Sequence, residues 1–280
     1  MTILVTGGTG KTGTSLVKKL HDAGHSVLVA SRSGSAPEGI KGVKFDWANP
    51  STYENPFNAD SNIDKIYLIP LSTIDTLTAV KPFIDLAVSK GVKRFVLLSA
   101  SPVGLGGPAT GKVHEYLDGL EGVEYAALRP TWFFENFATS LLPNLRDRDE
   151  IVTATQDGKI PFIAVDDIVD AAVHALTTPK IENTDLLILG PDLLSYDQVA
   201  EIFSGVLGRK ITHRRVTVAE LSDILKGYGI PNDVANMLAT LDGAIAQGAE
   251  EKHLSAENKY IGKVHLADWV EQRKALWNKA

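Results

Sequence analysis

The sequence predicts an α/β fold: a doubly wound parallel (Rossmann) sheet with a smaller, mostly helical C-terminal part suited to holding a substrate. Three observations support this. Through the first half, short β-branched runs alternate with longer segments of helical period, the pattern of a parallel sheet covered by helices on both faces. A glycine loop, Gly7-Gly8-Thr9-Gly10-Lys11-Thr12-Gly13, lies between the first run and the first helical segment. Beyond about residue 131 the alternation loosens and helical segments dominate.

The elements follow in order. Residues 2–6 form a buried first strand, and 11–23 a helix with Leu16, Val17 and Leu20 at helical spacing and Gly24 past its end. Residues 26–31 give the second strand, 43–45 a short third, and 65–69 a fourth stopped by Pro70. The next helix carries Leu77, Val80, Ile84, Ala87 and Val88 on one stripe and ends before Gly91. Residues 94–98 are the fifth strand, 110–120 a helix, and 124–128 a sixth strand ended by Pro130. In the second half, 132–145 reads as an aromatic-rich helix, 160–163 as a strand and 166–176 as a helix with an acidic start. Strands at 186–189 and 211–216 and helices at 196–207, 218–228, 233–246 and 267–277 complete the chain. No repeat, low-complexity tract or long linker interrupts it. A dinucleotide-binding domain, 1–150, and a substrate-binding part, 151–280, are therefore expected to interleave and pack as one unit with a cleft.

Composition narrows the chemistry. The 280 residues hold no cysteine, which excludes disulfides, thiolate metal sites, iron–sulfur clusters and a cysteine nucleophile. The histidines show no pairing at metal-ligand spacing, so no metal is expected. No run nears the roughly 18 apolar residues of a membrane span, and MTILVT opens a strand instead of a signal peptide. A cytoplasmic protein without a membrane partner is expected. The 34 acidic against 28 basic residues give a net charge of −6 with no basic stripe, which argues against nucleic acid and for a small-molecule partner.

The glycine loop occupies the first βα turn, where glycines permit a tight turn and let a pyrophosphate approach the backbone at a helix N-terminus. Gly7, Thr9, Gly10, Lys11, Thr12 and Gly13 are the candidate cofactor contacts. A P-loop is disfavoured, because it needs a glycine five positions before its Gly-Lys pair and Val5 stands there. No acidic residue lies between Ser26 and Pro37. Ser31, Arg32 and Ser33 stand where a ribose-binding carboxylate is expected and suit a 2′-phosphate instead, which favours NADP(H). A solvated surface arginine is the alternative. Asp46 and Trp47 are candidates to flank the adenine, and Pro70 and Leu71 to border the ribose and nicotinamide. A turn acid, a core-edge aromatic and a strand stop are the other readings of these positions.

Reducing a carbonyl takes a proton donor, commonly a Tyr-x-x-x-Lys pair on one helix face. Four positions beyond the seven tyrosines stand Phe57, Leu71, Leu120, Arg129, Ala200, Asn232 and Val264, none a lysine. Either another donor serves, with His114 the candidate catalytic group beside Lys112 and Tyr116 in GKVHEYL, or the substrate is an iminium ion. An iminium accepts hydride and becomes a neutral amine without a proton. For His114 a surface or helix-cap role is the alternative. Trp132, Phe133, Phe134 and Phe137 follow the sixth strand at the sheet's carboxyl edge, where core packing and a pocket for a flat substrate are both open. The candidate substrate contacts are Ser99, Lys112, Trp132, Phe133, Asn136 and Asp166. Asp166 or Asp167 also suits a helix start, and a carboxylate facing a cationic substrate is the alternative.

Together TGGTGKTG, RFVLLSAS, GVEYAALRPTWFFENF, IPFIAVDDIVDAA and LGPDLLSYDQVAEIFSGVLGRKI resemble the NmrA-like atypical short-chain dehydrogenase/reductases over most of the chain. Within that group, GKVHEYLDGLEGVEYAALRPTWFFENF and GIPNDVANMLATLDGAIAQGAEEKHL are similar to the fungal festuclavine and agroclavine dehydrogenases of ergot-alkaloid pathways. The resemblance implies NADPH-dependent reduction of a cyclic iminium to a tertiary amine, with Gly7, Gly10, Gly13 and Arg32 as cofactor contacts. Quinone or enone reduction and non-catalytic NADP(H) sensing are the other roles found among such relatives.

Overall fold

The computed structural model describes residues 1–71, 73 and 75–279. Its first strand, β1 (Thr2–Thr6), is buried along its whole length, as a β-branched run covered on both faces requires. There follow α1 (Lys11–Asp22), β2 (Ser26–Ser31), β3 (Lys41–Lys44), α2 (Asn55–Ala59), β4 (Ile63–Leu68), α3 (Thr76–Ser89), β5 (Arg94–Leu98), α4 (Thr110–Asp118) and β6 (Glu124–Pro130). Then come β7 (Glu150–Thr153), β8 (Lys159–Pro161), α5 (Val165–Thr177), β9 (Thr184–Leu189), β10 (Leu193–Ser195) and α6 (Tyr196–Leu207). The chain finishes with β11 (Thr212–Arg215), α7 (Val218–Gly227), α8 (Asn232–Ala246), β12 (Lys259–Ile261) and α9 (Leu266–Arg273).

These elements form two compact units: Met1–Pro130 with Val165–Ile188, and Thr131–Ala164 with the residues from Leu189 onward. A single cut at residue 150 does not describe them, because the chain crosses after Pro130, after Ala164 and after Ile188. The cause is topological. A parallel strand added beside β6 needs a crossover helix, and α5 and β9 supply that pair only after the excursion.

Within the first unit the strands run β9-β6-β5-β4-β1-β2-β3, all parallel. The order reverses between β1 and β4, so the carboxyl ends of those two strands flank the switch point where ligands bind in open α/β sheets. One face of the sheet, with Leu4, Leu28, Ile66, Phe95 and Leu97, packs on Phe57, Phe83, Ile84 and Leu117 from α2, α3 and α4. On the other side α1 and α5 lie together.

The second unit is held by rings. Phe134, Phe137, Phe162, Tyr196, Phe203, Trp269 and Trp277 share one core, and the Trp277 indole donates to the Phe137 carbonyl at 3.1 Å. Residues 132–145, expected as one helix, instead give a 3-10 turn at Phe134–Asn136 and a π-helical turn at Asn144–Arg148. Pairing with the Ile163 segment explains the correction. Ile163 N–H donates to Trp132 O at 2.9 Å and Phe134 N–H to Ile163 O at 2.8 Å, which holds the start of the aromatic run extended. The last helix stops at Arg273 and continues only as a 3-10 turn to Trp277. No helix among the described residues is long and apolar enough to cross a membrane.

Candidate active site and cofactor cradle

The glycine loop turns through Gly7, whose φ of +62° lies in the left-handed region that glycine occupies without a side-chain clash. The Gly10 N–H closes the turn on the Gly7 carbonyl at 2.9 Å. A Cβ on Gly13 would fall 2.3 Å from that same carbonyl oxygen, so only glycine lets α1 seat directly on the loop. The helix then starts at Gly10 with no capping side chain and no acid in its first turn. Its positive end therefore fits an anionic pyrophosphate. Thr9, Gly10 and Lys11 are exposed at this end, whereas Thr12 is turned inward and buried.

Register carries the end of β2 to the same edge, since Thr6 pairs with Ala30. Ser31 is buried and donates to the Ser35 carbonyl at 2.8 Å, and the Ser33 and Ser35 hydroxyls lie 2.6 Å apart. Arg32 is exposed and makes no hydrogen bond or ion pair with a described residue, which leaves its guanidinium available to a phosphate. Two other candidates sit differently. Trp47 donates to the Ile69 carbonyl at 3.0 Å and stands edge-on to Phe45 and Phe83, a core-edge aromatic. Asp46 accepts from the Ala48 N–H at 3.0 Å and so acts as a turn acid. Pro70 and Leu71 are half-buried beyond β4, and the Leu71 carbonyl accepts the Thr73 N–H at 3.0 Å.

At the end of β5, Ser99 donates its backbone N–H to Leu128 and places its hydroxyl 2.8 Å from Thr110 Oγ1. Thr110 is not legible as a site residue in the sequence. Nothing in the spacing pairs two hydroxyls eleven residues apart; the turn before α4 does so, with Ala109 at φ 51° and ψ −114°. A non-glycine residue held there costs about 1–3 kcal/mol. Lys112 is exposed and lies 3.4 Å from Glu115. His114 faces the other way. It is 1% exposed, edge-on to the Tyr125 ring, and neither ring nitrogen finds a hydrogen-bond partner among the described residues. Burial holds its pKa below the usual histidine value and so favours the neutral ring.

The four tyrosines of this unit are likewise withdrawn. Tyr53 donates to the Trp47 and Ala79 carbonyls, Tyr116 bonds to Asp85, and Tyr125 donates to Asp118 at 2.8 Å. Tyr67 is fully enclosed, and burial raises its pKa. Asp166 is exposed in the first turn of α5, where a carboxylate favours the helix dipole; Asp167 beside it is buried.

In the second unit, Phe134 and Phe137 are sealed in the core while Trp132, Phe133 and Asn136 remain half-buried. The aromatic run thus divides between core and surface. Asp242 accepts the Ala154 N–H at 3.0 Å, and burial pushes its carboxyl up to about 6. His213 lies between Asp197 at 2.9 Å and Thr153 at 2.7 Å; its side chain is fully enclosed, so this chain of bonds ties β11 to β7 and α6.

A phosphate cradle of this kind, in a parallel sheet of this order, admits many families. The chain matches the NmrA-like family over residues 112–272 and the NAD(P)H-binding family over residues 7–179. It belongs to the NmrA-like family. This NmrA-like protein is 44% identical to agroclavine dehydrogenase of Claviceps fusiformis over 285 residues, 99% of each chain. It is 42% identical to festuclavine dehydrogenase of Aspergillus fumigatus, again over 99% of each. Among solved structures, the NADPH-dependent quinone oxidoreductase of Escherichia coli shares its fold with a TM-score of 0.79 at 23% identity, covering 97% of this chain and 99% of that one. Triphenylmethane reductase of Citrobacter sp. does so with a TM-score of 0.77 at 21% identity and the same coverage. The NmrA-like chain thus carries an NAD(P)(H) cradle, and Gly7, Gly13 and the open end of α1 are the features that fit it.

Proposed function

We propose that this NAD(P)H-dependent oxidoreductase uses NADPH to reduce the C=N bond of a cyclic iminium on an indole-alkaloid-type substrate. The observation that carries the reading is that the tyrosines and His114 of the cofactor-binding unit are withdrawn as proton donors. Every tyrosine hydroxyl of the cofactor-binding unit is sealed or bonded elsewhere, and His114 is buried, which favours its neutral ring. An iminium suits such a site, because hydride addition alone turns the cation into a neutral amine and no proton has to be delivered. Bound NADPH supplies the hydride. The chain's part is to hold the pyrophosphate on the glycine loop, to grip the 2′-phosphate with Arg32, and to align the acceptor. The half-buried rings of Trp132 and Phe133 are the proposed contacts for a flat aromatic substrate. Full-length similarity to agroclavine and festuclavine dehydrogenases supports the same substrate class.

The test is NADPH oxidation followed by absorbance across a panel of indole-fused cyclic iminium ions, with quinones as the comparison set. Turnover of an iminium with little response to quinones is expected. Turnover of quinones alone would replace the reading with quinone reduction, and tight NADPH binding without oxidation by either set would make the protein a sensor.

A further inference from the structure

The turn that opens α4 is built against its own stability. Ala109 occupies the first inner position of a tight turn closed by the Gly111 N–H on the Pro108 carbonyl at 3.0 Å, a position where glycine is the usual residue. Ala109 offers the helix start no capping side chain, and no other side chain caps it. Gly111 is pressed on the preceding loop, since a Cβ there would lie 2.5 Å from the Gly104 carbonyl oxygen. Besides backbone bonds such as Gly106 N–H to the Gly111 carbonyl at 3.0 Å, one side-chain contact comes of this arrangement: Thr110 Oγ1 stands 2.8 Å from Ser99 Oγ at the carboxyl end of β5. A single half-buried hydroxyl pair by itself returns less stability than the strain removes. The hydroxyl pair is therefore not explained by the stability it adds, and strain held by surrounding packing is found where side chains are placed at working sites.

We propose that Thr110 is a positioning residue, held by the Ala109 turn, that fixes the Ser99 hydroxyl in one rotamer at the reacting end of the site. Unheld, Ser99 samples three side-chain wells; held, it presents a fixed dipole as charge passes from the acceptor to the nicotinamide. The inference rests on the iminium-reductase reading for its assay, and the experiment separates the two.

Thr110→Val keeps the shape and removes the hydroxyl, Thr110→Ser keeps the hydroxyl, and Ser99→Ala removes the group through which Thr110 acts. Each variant is assayed with NADPH and an indole-fused cyclic iminium, and NADPH affinity and Tm are measured beside turnover. Thr110→Val is expected to lower kcat about tenfold with NADPH affinity unchanged, and Thr110→Ser to restore most of it. The double variant Ser99→Ala/Thr110→Val is expected to be no slower than Ser99→Ala alone. Ala109→Gly is expected to raise Tm while lowering kcat about threefold, a split that a purely structural turn would not give. Additive losses in the double variant, a Thr110→Val effect confined to Tm, or full activity of Ser99→Ala would each overturn the positioning role while leaving iminium reduction standing. If the wild type reduces quinones and no iminium, the activity reading fails, and the same cycle run on the quinone still decides the role of Thr110.

Discussion

The turns from β1 into α1 and from β5 into α4 leave the same edge of one parallel sheet, and each starts its helix from backbone of positive φ. In the first it is Gly7 at +62°; in the second Gly106 at +71° is followed by a non-glycine residue, Ala109 at +51°. The first turn brings backbone close to the proposed phosphate position, and an absent Cβ at Gly7 and Gly13 leaves room for that approach. The second turn brings two side chains together, Ser99 and Thr110, and bears strain to do it. Backbone recognition in this fold thus depends on what is missing from the chain, and side-chain placement on what the surroundings can force.

The largest break in this comparison comes from adding a Cβ to the first turn. Gly13→Ala places a carbon against the Gly7 carbonyl. It is expected to cost about 1–3 kcal/mol in denaturant unfolding and to abolish detectable binding of NADPH and NADH alike. Wild-type affinity in that variant would remove the glycine loop from the cofactor site. Next in size is the charge beside the loop. Arg32→Asp exchanges an unpaired cation for an anion and is expected to weaken NADPH about a hundredfold more than NADH by calorimetry. Equal weakening of both cofactors would end the 2′-phosphate assignment.

Smaller effects sharpen the second turn. His114→Leu replaces a buried imidazole with no hydrogen-bond partner by an apolar side chain, and a gain of about 1 kcal/mol in unfolding free energy is expected. Turnover is expected to stay within about twofold; a loss of a hundredfold would restore His114 as an acid or base. The smallest effect is in pH. Burial lowers the His114 pKa, so just below the unfolded value of about 6.5 the unfolded chain binds more protons than the folded one. Stability is therefore present above that pH and falls as pH drops through the folded pKa. Urea unfolding at about pH 7.5 and about pH 5.5 is expected to show a shallower fall for His114→Leu than for the wild type. Some slope remains, because burial lowers the His213 pKa in the same direction.

Much of the first unit was legible because its signals are local. TILVT reads as a buried strand, and TGGTGKTG reads as a βα turn, since backbone sterics fix both within a few residues. The exposed position of Arg32 was legible for the same reason: it follows its strand directly. The aromatic run after β6 was not, because four rings at helical spacing describe a helix equally well until Ile163, thirty residues away, pairs with Trp132 and Phe134. The contacts of Trp47 with Ile69 and Phe83 come from elements distant in sequence and were not legible either, while the bond of Asp46 to the Ala48 N–H is local.

By itself the sequence determined the parallel sheet, the glycine cradle, the missing carboxylate after β2 and the absence of a Tyr-x-x-x-Lys pair. Each of these is a property of neighbouring residues, or of a spacing that can be counted along the chain. Only the tertiary structure decided that His114 points into the core, that the tyrosine hydroxyls are committed elsewhere, and that Ser99 meets Thr110 across a strained turn. Helical period names the stripe on which a side chain lies but not what packs against it. Burial and hydrogen-bond partners come from elements far apart in sequence, and those contacts set which polar groups remain free to act.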